Sequence, residues 1–245
     1  MKKTFAIAFC LLGIVGINGQ TSGQIATYTP GVGAFTDGLY NYAMGSISDK
    51  TEKSTHEDRT IEGSPYSSNQ FASTTLYYGE EDMGVIYYRY NAYNEEVEIK
   101  EKNMAGIPIR GLQKDKKISI IMDNKKLSFK TFIDRGGNTI NGYLLSLAEG
   151  NKYTLYRRIN VEFTEGKKAP NSFVKAVPAK FSQFIEYYMY KEGAKRIDEI
   201  PLKNNKFLNL LDSESKEKVK VFLKENALNI KKESDLIEVF AFLNS

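Results

Sequence analysis

Ile118-Ser119-Ile120-Ile121-Met122-Asp123-Asn124-Lys125-Lys126-Leu127-Ser128-Phe129-Lys130-Thr131-Phe132-Ile133 is the stretch that decides the fold. Two β-branched and aromatic runs flank the polar set Asp123-Asn124-Lys125-Lys126, which is the pattern of a tight hairpin. In the second run Leu127, Phe129, Thr131 and Ile133 fall on one face of a strand and Ser128, Lys130 and Asp134 on the other, with Phe132 as the exception. Side chains alternate faces along a strand, so this period of two marks a half-buried one.

The same period extends outward. Gly136-Gly137-Asn138 turns the chain into Thr139 to Leu147, and Glu149-Gly150-Asn151-Lys152 turns it into Tyr153 to Phe163. Upstream, Phe71 to Tyr78 ends at Gly79-Glu80-Glu81-Asp82, Gly84 to Ala92 follows, and Glu96 to Lys100 comes next. Short connections force antiparallel neighbours, because a parallel pair needs a long crossover. The sequence therefore predicts an α+β protein, mostly β, built on an antiparallel meander of about eight strands. A sheet of that size curls or closes into a barrel-like form. Residues 165 to 180, with Pro170 and Pro178, read as a loop, and Phe181 to Tyr190 fits either a strand or a helical stripe.

After Pro201 the period becomes helical. Phe207, Leu208, Leu210 and Leu211 mark a short helix, and Asp212 or Ser213 caps a second that carries Val219, Phe222 and Leu223. Ser234 and Asp235 start a third, with Leu236, Val239, Phe240 and Leu243 on one stripe. The division expected is a signal peptide at 1–19, a polar and partly disordered N-terminal arm at 20–62, a β domain at 63–200, and C-terminal helices at 201–245 packed on it.

The signal peptide is read from Lys2 and Lys3, an apolar run from Phe5 to Val15, and small and polar residues through Gln20. Export to the periplasm or the extracellular space follows as an expectation. No later segment is long and apolar enough to span a bilayer. The single cysteine, Cys10, lies inside the apolar run without a lipobox, so neither a lipid anchor nor a disulfide is expected. The single histidine, His56, sits in a polar run, which leaves no multi-histidine metal site. No cofactor and no metal are expected. The chain carries 34 basic and 30 acidic residues, and loss of Lys2 and Lys3 leaves 32 against 30. That balance shows no basic stripe and argues against a nucleic-acid partner. There is no tryptophan, but sixteen tyrosines can offer amphipathic rings.

Tyr87, Arg89, Asn91, Tyr93, Glu96 and Glu98 form the densest polar and aromatic constellation and are the candidate binding residues. If Tyr93-Asn94 tips a hairpin, Tyr90 faces Val97, Arg89 faces Glu98 and Asn91 faces Glu96. The arrangement reads either as a recognition surface with an Arg–carboxylate centre or as a cross-strand ion pair. Glu80, Glu81, Asp82, Glu95, Glu96 and Glu98 supply carboxylates for a glycosidase-like reaction only if two of them face each other across a defined gap. The Ser-x-x-Lys matches at Ser172 and Ser213 lack the accompanying acyl-enzyme motifs, and no phosphate-binding glycine loop is present. No catalytic residue is assigned.

Gly63-Ser64-Pro65-Tyr66, then Arg89-Tyr90-Asn91-Ala92-Tyr93-Asn94-Glu95-Glu96-Val97-Glu98, and Leu145-Ser146-Leu147-Ala148-Glu149-Gly150-Asn151-Lys152-Tyr153-Thr154-Leu155-Tyr156 resemble a group of uncharacterised exported proteins of Gram-negative bacteria. The resemblance covers 63–245. It implies export and these boundaries, and it brings no functional residue. The function expected is a non-enzymatic binding or interaction protein of the cell envelope, with an envelope protein or a small ligand as partner. The alternatives are a structural accessory subunit of an envelope assembly and, more distantly, a carboxylate-dependent hydrolase.

Overall fold

The computed structural model describes residues 42–45, 61–169, 171 and 173–245. The expected signal peptide, His56 and most of the N-terminal arm lie outside the described residues. Among the described residues eleven strands form one mixed sheet: β1 (Ile61–Glu62), β2 (Ala72–Tyr78), β3 (Glu81–Asn91), β4 (Glu96–Lys100), β5 (Arg110–Gly111), β6 (Ile118–Met122), β7 (Lys125–Ile133), β8 (Thr139–Ala148), β9 (Tyr153–Thr164), β10 (Ala179–Lys191) and β11 (Ile197–Glu199). Three helices follow: α1 (Asn204–Leu208), α2 (Ser213–Glu225) and α3 (Glu233–Asn244).

The strand order is β1-β10-β9-β8-β7-β6-β2-β3-β4-β5, with β11 paired to both β10 and β7. This corrects the expected antiparallel sheet of eight strands in number and in direction. Two pairings, β1 with β10 and β11 with β7, are parallel. They join segments distant in sequence, and the short-connection rule is silent about such pairs. The three strands not expected are only two or three residues long, too short to show a period. The segment from Phe181, ambiguous in sequence, is the long strand β10, matched to β9 over twelve residue pairs.

The Asp123-Asn124 turn joins β6 to β7 with both residues at positive φ, 51° and 59°. That is the left-handed pair a two-residue hairpin turn needs, and Asp and Asn tolerate it well. Glu81 and Asp82, expected in a turn, instead open β3, because Gly79 at φ 64° lets Tyr78 pair directly with Glu81.

One face of the sheet holds the main core. Leu76, Ile86, Tyr90, Val97, Ile99, Ile118, Ile120 and Leu155 are buried there, together with Ala43 and Met44 from the N-terminal segment. The helices close the same core. Val219, Leu236, Val239 and Phe240 are fully enclosed, and α3 packs on β8 and β9. Asn244 ties the chain end to the β8–β9 turn: its Oδ1 accepts from the amides of Lys152 and Tyr153, at 3.1 and 2.9 Å, and its Nδ2 donates to the Tyr153 carbonyl. Asp212 caps α2 by accepting from the Ser215 amide at 3.0 Å. α3 starts at Glu233, one residue before the expected Ser234.

A second, smaller core lies on the other face. Phe132, Leu144, Tyr156 and Tyr188 are buried together, with Ile140, Tyr190 and Ile197 against them. This accounts for Phe132 as the exception in the alternation of β7. Pairings β7–β8, β8–β9, β9–β10, β10–β11 and β11–β7 make a circuit of five strands, closed by the bridge between Asp198 and Ile133. Phe132 points inside that circuit, so both faces of β7 are covered.

Candidate functional site

The six candidate residues sit on or at the tip of the β3–β4 hairpin in the expected register: Arg89 opposite Glu98, Tyr90 opposite Val97, and Asn91 opposite Glu96. Their environment is closed. The segment from Ser64 to Phe71 crosses them, joined to the hairpin by the Tyr66–Asn91 bridge and by a bond from the Ser67 amide to the Tyr90 carbonyl. Glu98 is 1% exposed and accepts two bonds from Arg89, from Nη2 at 2.6 Å and from Nε at 3.1 Å. Arg89 also donates to the Tyr66 hydroxyl at 3.2 Å, and its guanidinium lies over the Tyr66 and Phe71 rings. Asn91 is buried and accepts from the Asn94 amide. Tyr93 packs edge-on against Phe163 and Phe181. Tyr87 is half-buried, and Glu96 lies against Gly111. These groups largely satisfy one another.

The hairpin tip also carries Glu95, which the sequence offered only as one of several turn acids. β8 pairs with β9 only from Leu145 onward, so the two strands part beside residues 139–144. Glu95 enters that opening. Its Oε2 accepts from the Tyr143 amide at 3.1 Å and the Tyr90 hydroxyl at 2.7 Å. Its Oε1 accepts from Arg158 Nε and Nη2 at 2.9 and 2.7 Å. Glu186 takes the other side of the same guanidinium at 2.9 Å, and Tyr188 and Asn160 donate to it. Burial pulls the Arg158 guanidinium pKa down, and Glu95 with Glu186 outweighs it and raises it. Glu95 and Glu186 are thus held apart by a cation between them. They are not the facing carboxylates that glycoside hydrolysis requires. Gly142 makes room for the clasp, since a Cβ there would meet Glu95 Oε2 at 2.8 Å.

A cavity of about 340 Å³ lies beside the small core, lined by Lys116, Phe129, Lys130, Thr131, Tyr156, Tyr190, Lys195, Arg196 and Ile197. Its position follows from the sheet. β8 occupies one edge of β7 from Leu127 to Ile133. On the opposite edge β6 ends at Ser128 and β11 begins at Ile133. Among the described residues, residues 129–132 therefore have a strand neighbour on one side only, and the cavity opens at this break. The loop leading into β6 brings Lys116 to the break, and the turn from β10 to β11 brings Lys195 and Arg196.

Four cations and two phenols line the cavity, and among the described residues no Asp or Glu does. Arg196 is held by Asp198. Lys116, Lys130 and Lys195 make no ion pair among the described residues. Lys130 is half-buried, with its ammonium 5.3 Å from the centre of the Tyr156 ring. Burial lowers its pKa; Glu149 acts against that, and Lys126 and Lys116 add to it. Glu149 itself accepts a 2.6 Å bond from the Ser146 hydroxyl. Burial, with Glu149 second, pushes the Tyr156 phenol up to about 12, so it stands as a neutral donor at physiological pH.

None of the cavity residues was among the six candidates. The one signal in the sequence was Lys130 on the same strand face as Phe132: a cation beside an out-of-place aromatic residue. Among the described residues no group of three or more His, Cys, Asp or Glu is placed to hold a metal ion. No helix among them is long and apolar enough to cross a membrane. Comparison of the chain with protein-family models, with curated proteins and with solved structures finds no match.

Proposed function

We propose that this chain is an exported, non-enzymatic binding protein whose ligand occupies the cavity at the break in the β7 edge. The observation that carries the reading is a polar, tyrosine-lined cavity walled by strands that are fixed on their other sides. Small-molecule sites have volumes of roughly 300–1,000 Å³ and a few convergent polar groups, and this cavity meets both conditions. On the hairpin, by contrast, Arg89 is spent on Glu98, and Glu95 at its tip on Arg158. Export rests on the N-terminal residues, and mass spectrometry of the mature N-terminus tests it: processing near residue 19 is expected, and an intact Met1 or Lys2 in the exported protein overturns it.

Binding is tested by thermal melts of the full chain against a panel of neutral, anionic and cationic small molecules. A ligand that binds only the folded state stabilises it by mass action, by about 2.7 kcal/mol at a hundredfold excess over Kd, and so raises the melting temperature. Thr131→Trp fills the cavity and should abolish the shift, while Thr131→Val leaves it open and should preserve it. A panel that moves neither wild type nor Thr131→Val refutes the reading, as does a shift retained in Thr131→Trp.

An accessory role in an assembly is favoured by one separate observation. Phe173 is 94% exposed, and Val174 and Val177 on the same β9–β10 connection are also exposed. Under that reading Phe173→Ser leaves the melting temperature unchanged and releases the chain from its assembly.

A further inference from the structure

We propose that the ligand of the cavity bears a phosphate or sulfate monoester, seated against Lys130 and ringed by Lys116, Lys195 and Arg196. This inference rests on the reading of the cavity as a ligand site and specifies what enters it. Among the described residues, three of the four cations lack an acidic partner and no carboxylate reaches the cavity wall. Glu149, the acid that acts on Lys130, is engaged by Ser146. Cations gathered without a counter-charge repel one another, and a bound anion removes that cost. A polyanionic oxygen cluster makes the best use of several ammonium donors, because each short charge-assisted bond goes to a separate oxygen.

The remaining lining fixes where the rest of the molecule lies. Tyr156 and Tyr190 present phenols, and Phe129 and Ile197 present apolar surface. A bare inorganic ion would leave that surface unused, so the anion is one end of a small organic molecule. The break in the sheet adds a further feature. Along residues 129–132 one edge of β7 has no strand partner among the described residues, so its backbone is open to donors and acceptors on the ligand.

The test is isothermal titration of the full-length wild-type chain with glucose 6-phosphate, glucose 6-sulfate, glucose and inorganic phosphate. A parallel arm uses phosphatidylcholine vesicles with and without phosphatidic acid. Expected is binding of a monoester at least about tenfold tighter than glucose, weakening as salt is added. Lys130→Met and Lys195→Glu should each reduce it about tenfold or more, and Lys130→Arg should retain most of it. Lys195 is exposed on a turn, so Lys195→Glu stays informative if Lys130→Met folds poorly. Binding confined to phosphatidic acid vesicles and lost in Lys195→Glu also supports the inference, with a lipid headgroup as the source of the ester. Glucose binding as tightly as its esters, or esters bound equally by all variants, overturns it. Absence of ester binding also overturns it. Glucose binding that Thr131→Trp abolishes, without preference for the esters, refutes the anion alone and leaves the cavity as a ligand site.

Discussion

Replacing Glu95 by alanine removes four accepted hydrogen bonds at once. Among the described residues Arg158 keeps Glu186 as its one carboxylate partner, and the Tyr143 amide and Tyr90 hydroxyl lose their acceptor in surroundings where water is scarce. Breaking a buried ion pair from one side costs about 3–5 kcal/mol. The side chains of Arg158 and Glu95 are 10% and 15% exposed, which argues for the lower end. For a domain of this size about 3 kcal/mol corresponds to a fall in melting temperature of roughly 6–12 °C. Gly142 gives an independent check. Gly142→Ala forces a methyl group against the carboxylate and should cost about 1–3 kcal/mol in the wild-type background. With Glu95 already alanine, the three atoms closest to that methyl are gone and the cost should fall clearly. Circular-dichroism melts of the four proteins complete the cycle. A fall below about 2 °C for Glu95→Ala, or a Gly142→Ala cost that is the same in both backgrounds, would refute the clasp.

Arg89→Ala and Glu98→Ala should each destabilise, and the double variant should cost less than their sum, because Glu98 is enclosed and bonded twice by Arg89; additive, near-zero effects in thermal melts would return Arg89 to the binding candidates. Phe240→Ala should cost about 3–5 kcal/mol in urea melts, since the ring is fully enclosed and meets Tyr153 and Phe207; an unchanged midpoint would mean α3 is not part of the folded core. Stability should fall as pH rises from 10 to 12. Burial pushes the Tyr156 and Tyr187 phenols up to about 12, so the unfolded chain releases these protons near pH 10 while the folded chain still holds them. Tyr156→Phe should flatten that decline in denaturant melts across the range, and an identical slope would contradict it.

Periodicity made most of the sheet legible. The segments now seen as β2–β4 and β6–β9 read as strands in sequence, β10 fitted a strand and a helical stripe alike, and Asp123-Asn124 announces its own turn. The stripes of α2 and α3 correctly place Val219, Leu223, Leu236, Val239, Phe240 and Leu243 inside. Local spacing also fixed Arg89 opposite Glu98, because a hairpin register needs only its tip. What could not be read depends on contacts between distant segments. β1, β5 and β11 are too short to carry a period, and their pairings are decided by where longer strands leave an edge open. Arg158 meets Glu95 across 63 positions of sequence, and no local pattern encodes that meeting. The cavity is a gap between the ends of two strands, so its lining comes from five separate stretches. Phe132 was the visible trace: a residue that broke the alternation because its strand has a second core behind it.

The most direct test of the cavity as the ligand site is a titration of isotopically labelled full-length chain with glucose 6-phosphate, followed by backbone amide NMR. Saturable shifts should gather at Phe129, Lys130, Thr131, Lys195, Arg196 and Ile197 and leave Tyr66, Arg89 and Glu98 in place. Shifts centred on the Arg89–Glu98 hairpin, or no saturable shift anywhere, would contradict it.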